Sequence, residues 1–540
     1  MFRFIIIGCL VLSPSAFGYF LDGNGHYGLR PTTQTNPAFS SDRGLYQATL
    51  QTFRLLGEAK ASDKLSLKLE FGIFRDPRTA FLGDSAEPNE CTNTDSSGKS
   101  ENRSQNRECQ GRHQDTGEPG YSDYTPLIKE VYVEYGFDYC LLRAGRRARN
   151  WGMGVFQNNG HKPFDTARSV YDGISCDVNL QKTQTLAFSV GIDRLAETGT
   201  DVDIGLPTDN KNYGPSKTSD DLDQIYFTIE YDDRKANAGK SFRRNIGIYF
   251  ANVFGSENTG DPEQSAKTDI KFADLYTAFY LFNLTLRNEV IFRLGKSADP
   301  SWSRYGAVES NSDTGVHKNK LDAIAVAGDL TYSFGRSGVD VGPREFNQGT
   351  ASWHDIFLEY AYAPGDRDGY FDQDARRSEA LLDSSTNVGA MAFHRNYRPT
   401  LILFNDSPEM DEFRVDGIYD PGKIMNVSLL AGGYRYNSLR YGSFEFKFIS
   451  AQLNKSIPHE LKHQILQEEA SASDPGKRPV GFSGKHIGYE VDLKYSRAIE
   501  RSVDLGLAAA VGIPGAAMKT SPKESPSISY LLQGSVVFKF

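Results

Sequence analysis

The stretch Pro458-His459-Glu460-Leu461-Lys462-His463 sets two histidines four residues apart, with a glutamate directly after the first. On a helix this spacing puts both imidazoles on one face for zinc and leaves Glu460 as general base. Pro458 places the motif at the opening of a helix, and no third histidine follows at metzincin spacing, so Glu468, Glu469 or a residue of another loop would have to complete the site. The expectation is an amphipathic segment with solvated His459 and His463; a zinc hydrolase built on it is the alternative. A second cluster, Asp366 to Asp374 in "GDRDGYFDQD", offers hard oxygen ligands, Asp366 and Asp368 among them. It suits Ca²⁺ or a bridge to lipopolysaccharide but lacks EF-hand spacing, so a solvated acidic loop is expected. The third concentration is basic: Arg143, Arg147 and Arg149 share a parity within "LRAGRRARNWGMGVF". None of these patterns requires a cofactor.

The elements that carry such residues repeat every second position. In "LSLKLEFGIF" Leu65, Leu67, Leu69, Phe71 and Ile73 oppose Ser66, Lys68 and Glu70. In "NLTLRNEVIFRL" Leu284, Leu286, Val290, Phe292 and Leu294 oppose Thr285, Arg287, Glu289 and Arg293, and in "SFEFKF" three phenylalanines oppose Glu445 and Lys447. Each predicts a strand with one oily and one polar face. The supply of 51 Gly, 28 Tyr and 34 Phe fits turns and strands, and 60 Lys+Arg against 69 Asp+Glu, a net charge of -9, excludes a nucleic-acid binder.

Residues 1–18 read as a secretory signal: Arg3, the apolar run Phe4 to Leu12, then small residues at Ala16 and Gly18. A lipoprotein reading with Cys9 lipidated would leave too short an apolar segment. No later apolar run reaches the roughly 20 residues of a membrane helix.

The strand segments are long enough to cross a bilayer at a tilt, and their connections alternate between short turns and long polar stretches. That alternation predicts one domain over 19–540, an all-β transmembrane antiparallel barrel of about 18 (16–18) strands. Its first strand lies at about His26 to Thr35. The chain ends in mid-strand on "VVFKF", with Phe538 and Phe540 on the oily side. A terminal aromatic there fits lipid contact and resembles the signal read by the barrel-assembly machinery.

"LRAGRRARNWGMGVF", followed by "RSVYDGISC", resembles the alginate-export family of outer-membrane porins. Leu142, Arg143, Gly145 and Arg146, then Arg168, Asp172 and Gly173, occupy that family's positions. The resemblance implies an eighteen-stranded barrel whose lumen passes polar or anionic solutes. Arg143, Arg147, Arg149, Arg168, Asp172, Arg287 and Arg293 are the expected lumen residues, lining it for anions or bracing the wall through inward Glu130, Glu134 and Glu230. Arg146 would point outward, which is costly away from the interface.

Four cysteines follow the signal, an even number that favours disulfides in an exported chain. Cys91 and Cys109 bracket one polar stretch and pair first; Cys140 and Cys176 form a second bridge or stay as buried thiols. The stretches 77–126, 365–423 and 453–485 are expected outside the cell or folded into the lumen. The apolar "NVGAMAFHRNYRPTLILF" within 365–423 is the strongest case for narrowing the lumen. The expected function is passage of hydrophilic solutes, anionic ones among them, by a monomer in contact with outer-membrane lipid and lipopolysaccharide. A non-conducting adhesin or structural barrel is the other class.

Overall fold

The computed structural model describes residues 20–36, 45–72, 127–165, 168–179, 185–195, 222–234, 236–237, 240–257, 266–297, 319–335, 352–365, 387–388, 391–394, 396–404, 424–455, 484–499, 502–518 and 526–540. The signal segment, Cys91, Cys109, Asp366, Asp368, His459 and His463 lie outside the described residues.

The strands run β1 (Phe20–Thr35), β2 (Leu45–Lys60), β3 (Leu65–Gly72), β4 (Leu127–Gly136), β5 (Leu141–Ala148) and β6 (Val170–Asn179). Next come β7 (Leu186–Leu195), β8 (Leu222–Asp232), β9 (Phe242–Glu257), β10 (Ala266–Leu281), β11 (Leu284–Ser297) and β12 (Asn319–Phe334). The last are β13 (Ser352–Ala363), β14 (Asn387–Val388), β15 (Val427–Ser438), β16 (Gly442–Leu453), β17 (His486–Ile499), β18 (Val503–Pro514) and β19 (Ser529–Lys539).

All form one 19-stranded sheet. The two-residue β14 adds parallel to the end of β12, and β13 pairs directly with β15, so eighteen antiparallel strands make the wall. β1 pairs with β2 on one side and β19 on the other, which closes the ring. Closure leaves no unpaired edge, the condition a sheet must meet in lipid. The first strand starts six residues before the expected His26, because the "DGNG" stretch pairs with Leu55 to Glu58 instead of preceding the sheet.

The seam explains the aromatic terminus. Gly25 N–H donates to the Phe540 carbonyl at 2.8 Å and Phe540 N–H donates back at 3.1 Å. Tyr27 stacks on Phe538, and the Phe540 ring lies 6.0 Å from that of Phe53. A Cβ on Gly25 would sit 2.7 Å from the Phe540 ring, so only glycine admits this approach.

The alternation sorts faces as the sequence predicts. Phe444, Phe446, Phe448, Phe292, Leu294, Ile225 and Phe227 are exposed on the outer surface, while Glu445, Lys447, Glu289 and Arg293 point inward. The exterior is therefore a lipid-facing surface. The inner face is not uniformly polar: Leu321, Ala323, Ala325 and Ala327 of β12, and Ala431, Ile449 and Ala451 of β15 and β16, are buried. Something covers them.

Short connections gather at one end, at 61–64, 137–140, 282–283 and 439–441. The exception at that end is 335–351, between β12 and β13.

Candidate functional site: two segments inside the lumen

Two segments from the long-connection end fold into the barrel. The first, segment A, comprises residues 149–165 and 168–169 of the β5–β6 connection. Gly152, Gly154 and Gly160 take positive φ and turn the chain back on itself. At Gly152 (φ 53°) a Cβ would meet Glu289 Oε2 at 2.5 Å. That carboxylate, fully buried on β11, accepts from the backbone N–H groups of Met153 (2.5 Å) and Phe156 (3.1 Å). Successive N–H groups in a tight turn form an anion cradle, and here the wall supplies the anion.

Aromatic inward positions flank this turn. Gln157 donates to the hydroxyls of Tyr171 (3.0 Å) and Tyr249 (2.9 Å), and Phe156 packs 5.0 Å from Phe272. The Arg149 guanidinium lies 3.6 Å above the Tyr226 ring and pairs with Asp193; Arg147 donates to the Tyr226 hydroxyl at 2.7 Å.

The other end of segment A is ionic. Arg168 bonds Glu70 at 2.6 Å and Glu130 at 3.3 Å, and Arg54 donates to the carbonyls of Gly160 and Asp165. Burial pushes the Asp165 carboxyl above its usual range. His161 Nε2 lies 2.8 Å from Glu130 Oε1. One ligand atom each from Glu70, Glu130 and His161 falls within 4.8 Å, a spacing a divalent cation can use. Arg168 already bonds both carboxylates and Arg54 stands 3.9 Å from Glu70, so two guanidiniums fill the cation's electrostatic role.

The second, segment B, comprises residues 391–394 and 396–404 of the β13–β15 connection. Met391, Phe393, Ile402, Leu403 and Phe404 join the wall alanines in one buried cluster, which accounts for the apolar inner face. Small side chains on alternate wall positions leave room for the inserted chain. Glu490 of β17, also fully buried, accepts from the N–H groups of Leu401 (2.5 Å), Ile402 (3.0 Å) and Leu403 (2.8 Å). Lys447 ties the Pro399 carbonyl (3.1 Å) to Glu359 (2.8 Å). Desolvation, with Glu359 nearby, pushes the Tyr397 phenol well above its ordinary range. Segment B also rests on segment A: His394 N–H donates to the Val155 carbonyl at 2.8 Å, and Asn396 donates to Asn158 at 3.3 Å.

Six of the seven expected lumen residues lie inside the barrel, Arg149 and Arg168 on segment A and the rest on the strands. Arg143 pairs with Glu134 at 2.7 Å and with Asp177, and Glu134 also meets Lys68 at 3.7 Å. Arg287 pairs with Asp329 at 2.8 Å yet stays 45 % exposed at its side chain, and Arg293 is buried in the wall. Asp172 is the correction. It lies between inward Tyr171 and Gly173, so it points outward, where Arg146 grips it in a two-pronged pair at 2.9 and 2.7 Å. The cross-strand register continues the row as Arg146, Asp172, Arg194 and Asp223, each cation opposite an acid. This neutralises the outward Arg146. Of the cysteines, Cys140 and Cys176 are bridged, with Cα atoms 5.7 Å apart.

Sequence reasoning passed over Glu490, Asp193 and the inward tyrosines 171, 226 and 249. The available signal was an inner parity filled by aromatic and alanine residues, as in "LDAIAVAGDL".

No family model matches the chain, and no curated protein does. Among solved structures it is similar to Pseudomonas aeruginosa OccK2 (OpdF), with a TM-score of 0.45, 11 % identity and 96 % of this chain against 98 % of that one covered. OccK9 (OpdG) from the same organism gives 0.44, 12 % identity and 96 % against 98 %. OpdK, solved with vanillate, gives 0.42, 11 % identity and 96 % against 98 %.

Proposed function

We propose that this chain is an outer-membrane channel that lets hydrophilic solutes diffuse through a lumen narrowed by segments A and B. The observation that carries the reading is a closed wall, oily outside, whose inner ionic face is crossed by two segments of the chain itself. A barrel that served only as a surface anchor has no need of an inner face lined with ion pairs. The resemblance of the Arg143 to Gly173 region to the alginate-export family adds polar or anionic solutes as cargo. Most inward charges are matched: Arg143, Arg149 and Arg168 each face a carboxylate, so size and fit outweigh sign in selection. Arg287, the most exposed of the inward arginines named above, is the residue on which an anion preference rests. The chain works as a monomer among outer-membrane lipid and lipopolysaccharide, with Phe538 and Phe540 read by the barrel-assembly machinery.

Purified protein in planar bilayers tests this. Discrete single-channel steps are expected, with a reversal potential in a salt gradient that moves toward cation preference in Arg287→Ala. A silent bilayer would return the chain to the class of structural or adhesive barrels.

A further inference from the structure

The outer face at the long-connection end differs between two arcs of the wall. On β5 to β8 the outward row alternates in sign through Arg146, Asp172, Arg194 and Asp223. On β10 to β12 it does not. There the row runs Asp269, Lys296, Lys320, with the two lysines directly opposite each other across β11 and β12. The next row toward the short turns is Lys271, Leu294, Asp322. Like charges facing each other across a strand pair are destabilising.

Both lysines are exposed, and among the described residues neither has an ion-pair partner. Asp269 is shared: its carboxylate is 3.9 Å from Lys271, and the Asn252 amide donates to it at 2.9 Å once its oxygen and nitrogen are interchanged. The patch therefore holds three lysines against two aspartates, with its excess positive charge at the Lys296–Lys320 pair. Directly beneath lies an oily wall of Leu294 (52 % exposed), Ile324 (48 %), Phe292 (38 %) and Leu275 (37 %).

We propose that Lys296 and Lys320, with Lys271 beside them, hold the phosphate headgroup of an acylated lipid of the outer leaflet. Opposed residues of a strand pair have Cβ atoms about 5 Å apart, which lets two ammonium groups share the oxygens of one phosphate. The anion relieves the repulsion between them, and the acyl chains lie along Leu294, Ile324 and Phe292. The charge-balanced arc on β5 to β8 offers no such vacancy for an anion. The inference rests on the outer-membrane reading, and names the lipid chemistry that one arc of the wall selects.

Native mass spectrometry of the detergent-solubilised protein with bis-phosphorylated lipid A tests it, beside dephosphorylated lipid A and inorganic phosphate. The expected result is one lipid retained through delipidation by the wild type and by Arg194→Gln, at least tenfold weaker retention in Lys296→Gln/Lys320→Gln, and no retention of the dephosphorylated lipid. Equal retention by the lysine variant, or an equal loss in Arg194→Gln, overturns the site. Displacement of the lipid by millimolar inorganic phosphate would make this a free-anion site and overturns the lipid assignment. Bilayer conductance on the same preparations separates the two readings: a conducting protein without selective retention refutes the lipid site alone.

Discussion

Segments A and B enter the same lumen and are held by the same device, a buried wall glutamate in a cradle of backbone N–H groups, yet they differ in what else supports them. Segment A reaches across much of the ring. Arg168 ties it to β3 and β4, Arg54 of β2 holds Gly160, Glu289 of β11 holds its turn, and Tyr249 of β9 meets Gln157. Segment B has Glu490 and Lys447 on neighbouring strands, backbone bonds from Met391 to Pro364 and from Phe393 to Ile424, and the buried cluster with the wall alanines; it also rests on Val155 and Asn158 of segment A. The dependence is unequal. A is tied to β2, β3, β4, β9 and β11, B to β16 and β17, so B is expected to lean on A more than A on B.

Substitutions at the two glutamates break the symmetry of that pair. Glu289→Ala leaves the N–H groups of Met153 and Phe156 without an acceptor, about 1–3 kcal/mol for each buried donor. Because B rests on A, this variant is expected to loosen both segments and to give the largest rise in single-channel conductance. Glu490→Ala strands three donors but frees B alone, so conductance rises less. Chymotryptic cleavage after Tyr397 should then appear in both variants, whereas new cleavage after Trp151 appears only in Glu289→Ala. Migration as a folded barrel on unheated gels controls for loss of the wall. If Glu490→Ala opens the channel as far as Glu289→Ala does, the hierarchy is wrong.

The disulfide sharpens the contrast. Cys140–Cys176 closes a loop with a sequence separation of 36 that contains β5 and all of segment A. A loop of that size is worth about 3–4 kcal/mol on the chain-entropy account. Cys140→Ser/Cys176→Ser should therefore lower the unfolding temperature of the barrel. Conductance should stay as it is, because the bridge joins strand ends at the short turn, away from the lumen segments. A conductance change on reduction would mean that segment A depends on the bridge for its place as well as its stability.

The wall was legible in the sequence because lipid on one side and water on the other impose a strict period of two. "SFEFKF" can be sorted by counting, and the terminal Phe540 follows from the same count. The lumen was legible only in part. Arg143 and Arg287 were found by parity, since inward positions carry charge. Glu490 escaped because its role depends on which segment returns to meet it, a contact across 87 to 89 positions that no local period records. Asp172 was misplaced for a different reason: it came with the family resemblance, and a motif position does not give the face of the sheet until the cross-strand neighbour is known. Arg146 is that neighbour, and two outward charges cancel where either alone would be costly.

That outward pair gives the smallest effect and locates the edge of the lipid. Below the row of Arg146, Asp172, Arg194 and Asp223 lie Ala144, Ile174, Ile192 and Ile225, an apolar row that meets hydrocarbon. An exposed ion pair in water is worth about 0–1 kcal/mol. At the bilayer midplane an unpaired arginine costs about 2–4 kcal/mol, falling to about 0–1 near the interface. The row lies near the ends of β6, β7 and β8 that lead into long connections, so the interfacial value applies. A double-mutant cycle of Arg146→Ala and Asp172→Ala should give a coupling of about 1 kcal/mol or less, read from unfolding in lipid vesicles. The single Asp172→Ala, which leaves Arg146 without its acid, should cost more than Arg146→Ala, which leaves Asp172 still opposite Arg194, because an unpaired arginine costs more than an aspartate on the lipid face. A coupling of about 3 kcal/mol would place the row inside the hydrocarbon and shift the apolar band of β5 to β8 toward the long connections, out of step with the lysine row on β11 and β12.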